Sequence, residues 1–389
     1  MTSYVKDINK IIFTQIKDII LALGLTYLCI NIIACPNYSS SGISKGINFC
    51  ANILIPSLFP FMVISAFIVK SGISLKIEKL MLPITKYIFN LPGCTGATII
   101  LSLIGGFPVG ARGIKNLYDN KMITLEQARR MMMFCVGAGP AFVISVVGNN
   151  LLKNKDLGII IFISQVIASI LLGIILGIYS RVKHIDVQKY KKSKNKSIVI
   201  SEAFTYSCLD STQAIINMCS FVILFSSLIE IINNLGLNSY LAELLSKLNI
   251  PSNISETLIP IILEVTNGCI ESVNNNIPLP LLSFAIGWAG VCVHFQILSS
   301  IDNINISYVK FTLFRLLHGA IAMAITLFSI QFIDATKTTF SNIQVAPCAS
   351  ISSSLLGSIL LLITCIVFVI NTLFQYIPSS NSKSYRNKA

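Results

Sequence analysis

Residues Pro92 to Arg112 read P-G-C-T-G-A-T-I-I-L-S-L-I-G-G-F-P-V-G-A-R. The middle of this stretch, Ala97 to Ile104, is apolar enough to enter a bilayer, yet it is about half of the ~20 residues that a helix needs to cross one. Gly93 and Gly96 lie before it, and Gly105, Gly106, Pro108 and Gly110 after it. These residues end helices or turn the backbone. A short apolar segment with broken ends predicts a hairpin that dips into a membrane and returns. Such backbone survives at membrane depth only where protein or a water-filled cavity covers it, and a cavity near mid-membrane is where secondary transporters hold their cargo. A glycine-rich surface turn is the plainer reading of the same residues.

Composition sets the class. The chain of 389 residues is 54% hydrophobic and 12% charged, with a mean hydropathy of +0.77, whereas soluble domains carry about 25% charged residues. The expectation is an all-α polytopic membrane protein. The formal charge of +13 is what lysine-rich cytoplasmic loops produce, so no nucleic-acid partner is implied. The eleven cysteines form no Cys-x-x-Cys pair, and the three histidines are never four apart. Neither a disulfide framework nor a metal site is indicated, and no cofactor is expected. His-Glu-x-x-His and Gly-x-Ser-x-Gly are both absent, so an enzyme is not expected.

Working outward from the hairpin, apolar spans are predicted over 19–34, 47–69, 131–152, 157–179, 204–232, 279–299, 308–332 and 353–376. Pro56 and Pro60 should kink the second. Lys70 to Asn90 alternates basic and apolar residues and reads as an interfacial amphipathic helix interrupted by Pro83. Thr124 with Gln127 three residues on is a capping-box pattern. Within the third span, F-C-V-G-A-G-P-A-F (Phe134 to Phe142) places Gly137, Gly139 and Pro140 at mid-depth, predicting an unwound helix or close packing of small residues. The sixth span carries F-A-I-G-W-A-G-V-C (Phe284 to Cys292); Gly137 then matches Gly287, and Gly139 matches Ala289. Gly110 can be set on Gly268 at a slightly different offset. Residues 1–180 and 201–340 thus form two halves. The basic segment 181–200 links them, and 341–389 adds a last transmembrane helix and a basic tail.

Charge gives the orientation. Lys70, Lys76, Lys79, Lys86, Arg112, Lys115, Lys121, Arg129 and Arg130 fall within 70–130, while the matching 234–278 holds Lys247 alone. With the amino terminus inside, about eight crossings and two re-entrant hairpins, the positive-inside rule is satisfied. The hairpins then enter from opposite sides, an inverted repeat of the kind many secondary transporters use.

The runs I-L-I-P-S-L-F-P-F-M-V-I-S (Ile53 to Ser65), L-P-G-C-T-G, G-G-F-P-V-G-A-R and C-V-G-A-G-P-A-F resemble the sporulation integral membrane protein family called YlbJ or SpoVV. Both halves resemble the "Gate", or nucleoside-recognition, domain. The resemblance implies a protein of spore-forming bacteria in the outer forespore membrane, carrying dipicolinic acid. A cation-coupled nucleoside carrier is the competing expectation, and a non-transporting scaffold a further one. Partners are the lipid bilayer and a small-molecule substrate; a homo-oligomer stays open.

A planar dianion needs backbone N–H groups at helix N-termini and one or two cations. The breaks at Gly105, Gly106, Pro108 and Gly110, and at Gly137, Gly139 and Pro140, are expected to supply the former. Arg112 is the candidate cation, or else a positive-inside anchor. Glu264 and Glu271, two turns apart on one face if helical, are assigned to coupling or gating, in a pairing with Arg112. Asn267 and Gly268 are candidate substrate contacts. His294 serves as a proton relay or a packed, hydrogen-bonded residue. Arg315 has a cargo role or snorkels to the interface.

Overall fold

The computed structural model describes residues 36–71, 74–183, 199–301 and 304–331, with isolated positions before 36 and at 363. All regular structure among them is helical. The expected spans over 19–34 and 353–376, and most of the basic linker, lie outside the described residues.

Helix α1 (Pro36–Phe49) runs through a π-helical turn (Cys50–Leu54) into α2 (Ile55–Lys70). The wide turn precedes Pro56, whose ring would clash with the carbonyl four residues back in a regular helix. The apolar span begins at Pro36 and ends at Ile68, eleven residues before the predicted start at Ile47. Hydropathy missed α1 because its inner face is small and polar rather than apolar. Gly42 and Gly46 let α1 close on α8 (Ile200–Asn234): a Cβ on Gly46 would lie 2.9 Å from the Ile223 Cα. Ser39 and Ser227 share a hydroxyl hydrogen bond of 3.0 Å at the same contact. Close approach of small residues is how helices associate where lipid removes the hydrophobic drive.

Helix α3 (Ser74–Tyr87) contains Pro83 rather than being interrupted by it. Leu80, Leu82, Ile84 and Tyr87 project outward from it, as an interfacial helix requires. Next come α4 (Thr95–Gly105) and α5 (Phe107–Asp119), joined at Gly106. They pair antiparallel. Cβ atoms built at Gly113 and Gly110 would lie 2.8 and 3.0 Å from side-chain carbons of Thr98 and Ser102, and Cys94 Sγ reaches the carbonyl of Met122 at the open end. The chain therefore turns back after eleven residues, roughly 16 Å of helix. Helix α6 (Leu125–Phe134) starts with the expected capping box, Thr124 and Gln127 bonding reciprocally. It ends before Gly137, and a π-helix resumes at Ala141–Leu151. The long α7 (Lys155–Val182) follows.

The same order then recurs. After α8 come the amphipathic α9 (Leu237–Ser246), the pair α10 (Ser252–Leu263) and α11 (Val265–Asn274), the split span α12 (Leu279–Trp288) and α13 (Gly290–Ser299), and the long α14 (Tyr308–Ile330). The second pair is also antiparallel: Asn253 Nδ2 donates to the carbonyl of Asn275 at 3.2 Å, and Gly268 packs on Ile261. Its tip is Glu264. At one spacing Gly106 matches Glu264 and Gly110 matches Gly268. At another, Gly137, Gln165 and Ser169 match Gly287, Arg315 and Gly319.

The long helices are built inside out. On α7, Gly158, Ser169, Gly173 and Gly177 are buried while Ile163, Ile167, Ile170 and Ile175 face outward. Among the described residues, five helical stretches are long and apolar enough to cross a membrane: Pro36–Ile68, Lys155–Val182, Ile200–Asn234, Leu279–Ser299 and Tyr308–Ile330. This is an integral membrane protein.

Candidate functional site

Each hairpin tip packs against the break in the following span. In the first half, Gly106 adopts φ 78°, and a Cβ on Gly139 would lie 2.9 Å from the Gly106 nitrogen. In the second half, Ala289 and Gly290 adopt φ 72° and 73°, and a Cβ on Gly290 would meet the Glu264 backbone at 3.0 Å. Glycine at these crossings lets two main chains touch where each has left its helix.

The two tips differ chemically. Glu264 is 1% exposed and caps α11: Oε1 accepts from Thr266 N at 2.9 Å, and Oε2 from Asn267 N at 2.7 Å and Asn267 Nδ2 at 2.9 Å. Asn267 Nδ2 also reaches Ser226 Oγ of α8 at 2.9 Å. Gly106 provides no side chain to cap α5, and Pro108 has no N–H. One N-terminus is filled by the protein's own carboxylate; the other is left with backbone donors alone.

A small cavity of about 40 Å³ lies between the tips, lined among others by Gly106, Phe107, Gly139, Glu264, Thr266 and Gln296. That volume holds a few water molecules. A larger vestibule of about 580 Å³ adjoins it, lined by Arg112, Lys115, Asp210, Gln213, Asn217 and others. Phe107, Pro108, Met218 and Gln296 line both. In the vestibule wall Arg112 donates to the Asp210 carbonyl at 2.9 Å, and Asp210 pairs with Lys70 at 2.8 Å.

Behind the breaks is a polar knot. Arg315, fully buried, donates to the carbonyls of Val136 and Gly287, one from each split span, and to His318 Nδ1 at 3.2 Å. Because Nδ1 accepts, His318 is neutral with its proton on Nε2; that N–H faces Gln165 O at 3.2 Å and Ser169 Oγ at 3.0 Å on α7. Gln165, the counterpart of Arg315, donates to Ser283 of α12.

Sequence comparison finds a similar protein. The chain is 22% identical over 337 residues to the "Sporulation integral membrane protein YlbJ" of Bacillus subtilis (strain 168), covering 79% of this chain and 82% of that protein. The two proteins are thus similar over most of their lengths. No family model matches it, and no solved structure does.

In this chain, Gly105, Gly106, Pro108 and Gly139 line the cavity, and Arg112 lines the vestibule. Gly110 packs on Cys135, Gly137 faces Ser169, and Gly268 faces Ile261; Pro140 starts the π-helix. Two expectations are corrected, for Glu264 and Arg112, and for Arg315 and His294 one of two open readings falls away. Glu264 is extended hinge backbone, so it shares no helical face with Glu271, which lies farther along α11. Arg112 bonds to Asp210 rather than pairing with either glutamate. Arg315 does not snorkel, since it has no exposure. Of the two readings of His294, the structure gives the packed one: Nε2 donates to Trp288 O at 3.2 Å, and the ring stacks edgewise on Trp288, Tyr308 and Phe311. Phe107, Gln165 and Gln296 were not singled out from sequence. Gln165 had a legible signal, as a polar residue at mid-span in α7.

Proposed function

We propose that this protein is a membrane carrier built as an inverted repeat, with about eight crossings and two re-entrant hairpins, moving dipicolinate across the outer forespore membrane. The observation that carries the reading is the meeting of both hairpin tips at one cavity that adjoins an Arg- and Lys-lined vestibule. Helices of about 16 Å cannot cross a ~30 Å hydrocarbon core, so hairpins of this length suit re-entrant segments. The positive-inside rule, applied to 70–130, puts the vestibule on the cytoplasmic side with the amino terminus. A vestibule of about 580 Å³ falls in the range of small-molecule sites. The inner cavity is too small for an aromatic dicarboxylate, so cargo enters it only when a tip moves; that is an occluded state of alternating access.

One observation favours the second reading, a cation-coupled nucleoside carrier. The ionisable side chain of the inner cavity is the acid Glu264, beside Thr266 and Gln296. These suit sugar hydroxyls and base edges. The test is uptake by vesicles containing the purified full chain. Labelled dipicolinate should accumulate and nucleosides should not, and Arg112→Gln should slow initial dipicolinate uptake about tenfold by removing a cation that draws the anion into the vestibule. Nucleoside uptake without dipicolinate uptake would replace the first reading with the second.

A further inference from the structure

Arg315 carries a positive charge in a site with no exposure, and among the described residues no carboxylate pairs with it. A buried charge is ordinarily both hydrogen-bonded and paired. Here carbonyl dipoles and an imidazole take three of the five guanidinium N–H donors, and Nε–H is left without a partner. The guanidinium thus has an open donor and an unbalanced charge at the point where the two split spans cross. Structural need explains the carbonyl contacts; it does not explain why a permanent cation stands there when the matched position of the first half holds the neutral Gln165.

The ring of Phe107 lies over this guanidinium, its centroid 6.0 Å from Cζ. Phe107 lines both the inner cavity and the vestibule, while Arg315 lines neither. It follows Gly106, the hinge of the first hairpin, so a rotation of that tip moves the ring directly.

We propose that Arg315 is the cation that receives a carboxylate of the cargo, and that Phe107 is the gate covering it in the present state. This deepens the carrier reading and rests on it. The ligand class is a small planar carboxylate. A carboxylate oxygen of its anionic end accepts the one open donor on the Nε–Nη2 edge, Nε–H, since both Nη2 protons are already given to Gly287 O and His318 Nδ1. Arg112 and Lys115 in the vestibule attract the anion, and Arg315 binds it.

The experiment is calorimetric titration of dipicolinate into the purified full chain in detergent micelles, with pyridine and uridine as uncharged comparisons. Phe107→Ala should tighten dipicolinate binding about tenfold, the change expected for a gate closed nine-tenths of the time. Arg315→Lys, which has no Nε–H donor and cannot keep the carbonyl contacts that aim it, should weaken it at least tenfold through loss of a charge-assisted bond, with pyridine binding unmoved. Arg112→Gln should change the association rate and salt dependence more than the affinity. Wild-type affinity in a folded Arg315→Lys protein overturns the proposal, as does a Phe107→Ala protein that binds like wild type. If Arg315→Lys does not fold, the Phe107→Ala result decides alone. Binding that neither substitution alters leaves the carrier reading standing and removes this one; no binding of dipicolinate by the wild type removes both.

Discussion

Consider replacing Gly106 by alanine. The residue sits at φ 78°, ψ −169°, a region that essentially only glycine occupies, and an L side chain there costs up to about 3 kcal/mol. The added Cβ would lie 3.2 Å from the Gly139 nitrogen, so backbone of the split span would have to give way as well. Gly236 offers an internal control. It has a similar φ of 70° with ψ 11°, and a Cβ there meets nothing within 4 Å. Alanine in that left-handed conformation costs about 1 kcal/mol. Gly106→Ala should therefore cost about 2 kcal/mol more than Gly236→Ala, roughly a 30-fold difference in the folded-to-unfolded ratio. Equilibrium unfolding in mixed micelles measures both. Because Gly106 lines the inner cavity, the same substitution should also lower cargo binding, whereas Gly236→Ala should leave it alone. Equal destabilisation by the two substitutions would refute the claim that the first tip is a strained hinge pressed on Gly139.

Gly46→Leu should separate α1 from α8, because even a Cβ there reaches 2.9 Å from the Ile223 Cα; a loss of about 3 kcal/mol would appear as a lower unfolding midpoint and faster proteolysis. Thr124→Ala removes one side of the capping box on α6 and should cost about 1 kcal/mol in the same unfolding assay, with cargo affinity unchanged. Lys45→Ala breaks an ion pair with Glu230 in which Lys45 is 65% exposed; such a pair contributes well under about 1 kcal/mol, so the unfolding midpoint should stay within error of wild type.

Much of the scaffold was legible because its signals are local. Glycine and proline at Gly105, Gly106, Gly137, Gly139 and Pro140 break helices wherever the rest of the chain lies, and the breaks fall beside them. The capping box at Thr124 is written within four residues. What was not legible depends on partners far along the chain. The start of the second span at Pro36 was hidden because its inner face is serine and glycine packed on α8, and a hydropathy window counts that as loop. Pro83 was read as an interruption, yet it stays inside α3. For the site, sequence assigned Glu264 to coupling or gating and, if the stretch was helical, put it on one face with Glu271. Its extended backbone at the hinge depends on Gly290 approaching from another span. Arg315 was recognised as intramembrane, but the carbonyls that hold it come from residues 136 and 287, and no window contains all three.

The difference between the tips bears on how a repeated fold carries an asymmetric cargo. Two copies of one hairpin would present two equal helix N-termini to the cavity, each favouring an anion. In this chain Glu264 occupies one of them, satisfying the donors of Thr266 and Asn267 and putting acceptor oxygens on that wall. The other wall ends at Gly106 and Phe107, with the unbalanced Arg315 behind it. An electrostatic gradient therefore runs across the cavity, from carboxylate to guanidinium, and it would orient any polar solute that enters. A carboxylate directed at Arg315 gains an opposite charge, while the end directed at Glu264 must bring a donor or a proton to avoid repulsion. A second carboxyl facing Glu264 would thus be favoured in its protonated form. Exchanging the first-half and second-half tip residues, Gly106→Glu with Glu264→Gly, should then reverse or abolish the preference for anions rather than leave it unchanged, since the field would no longer point toward Arg315.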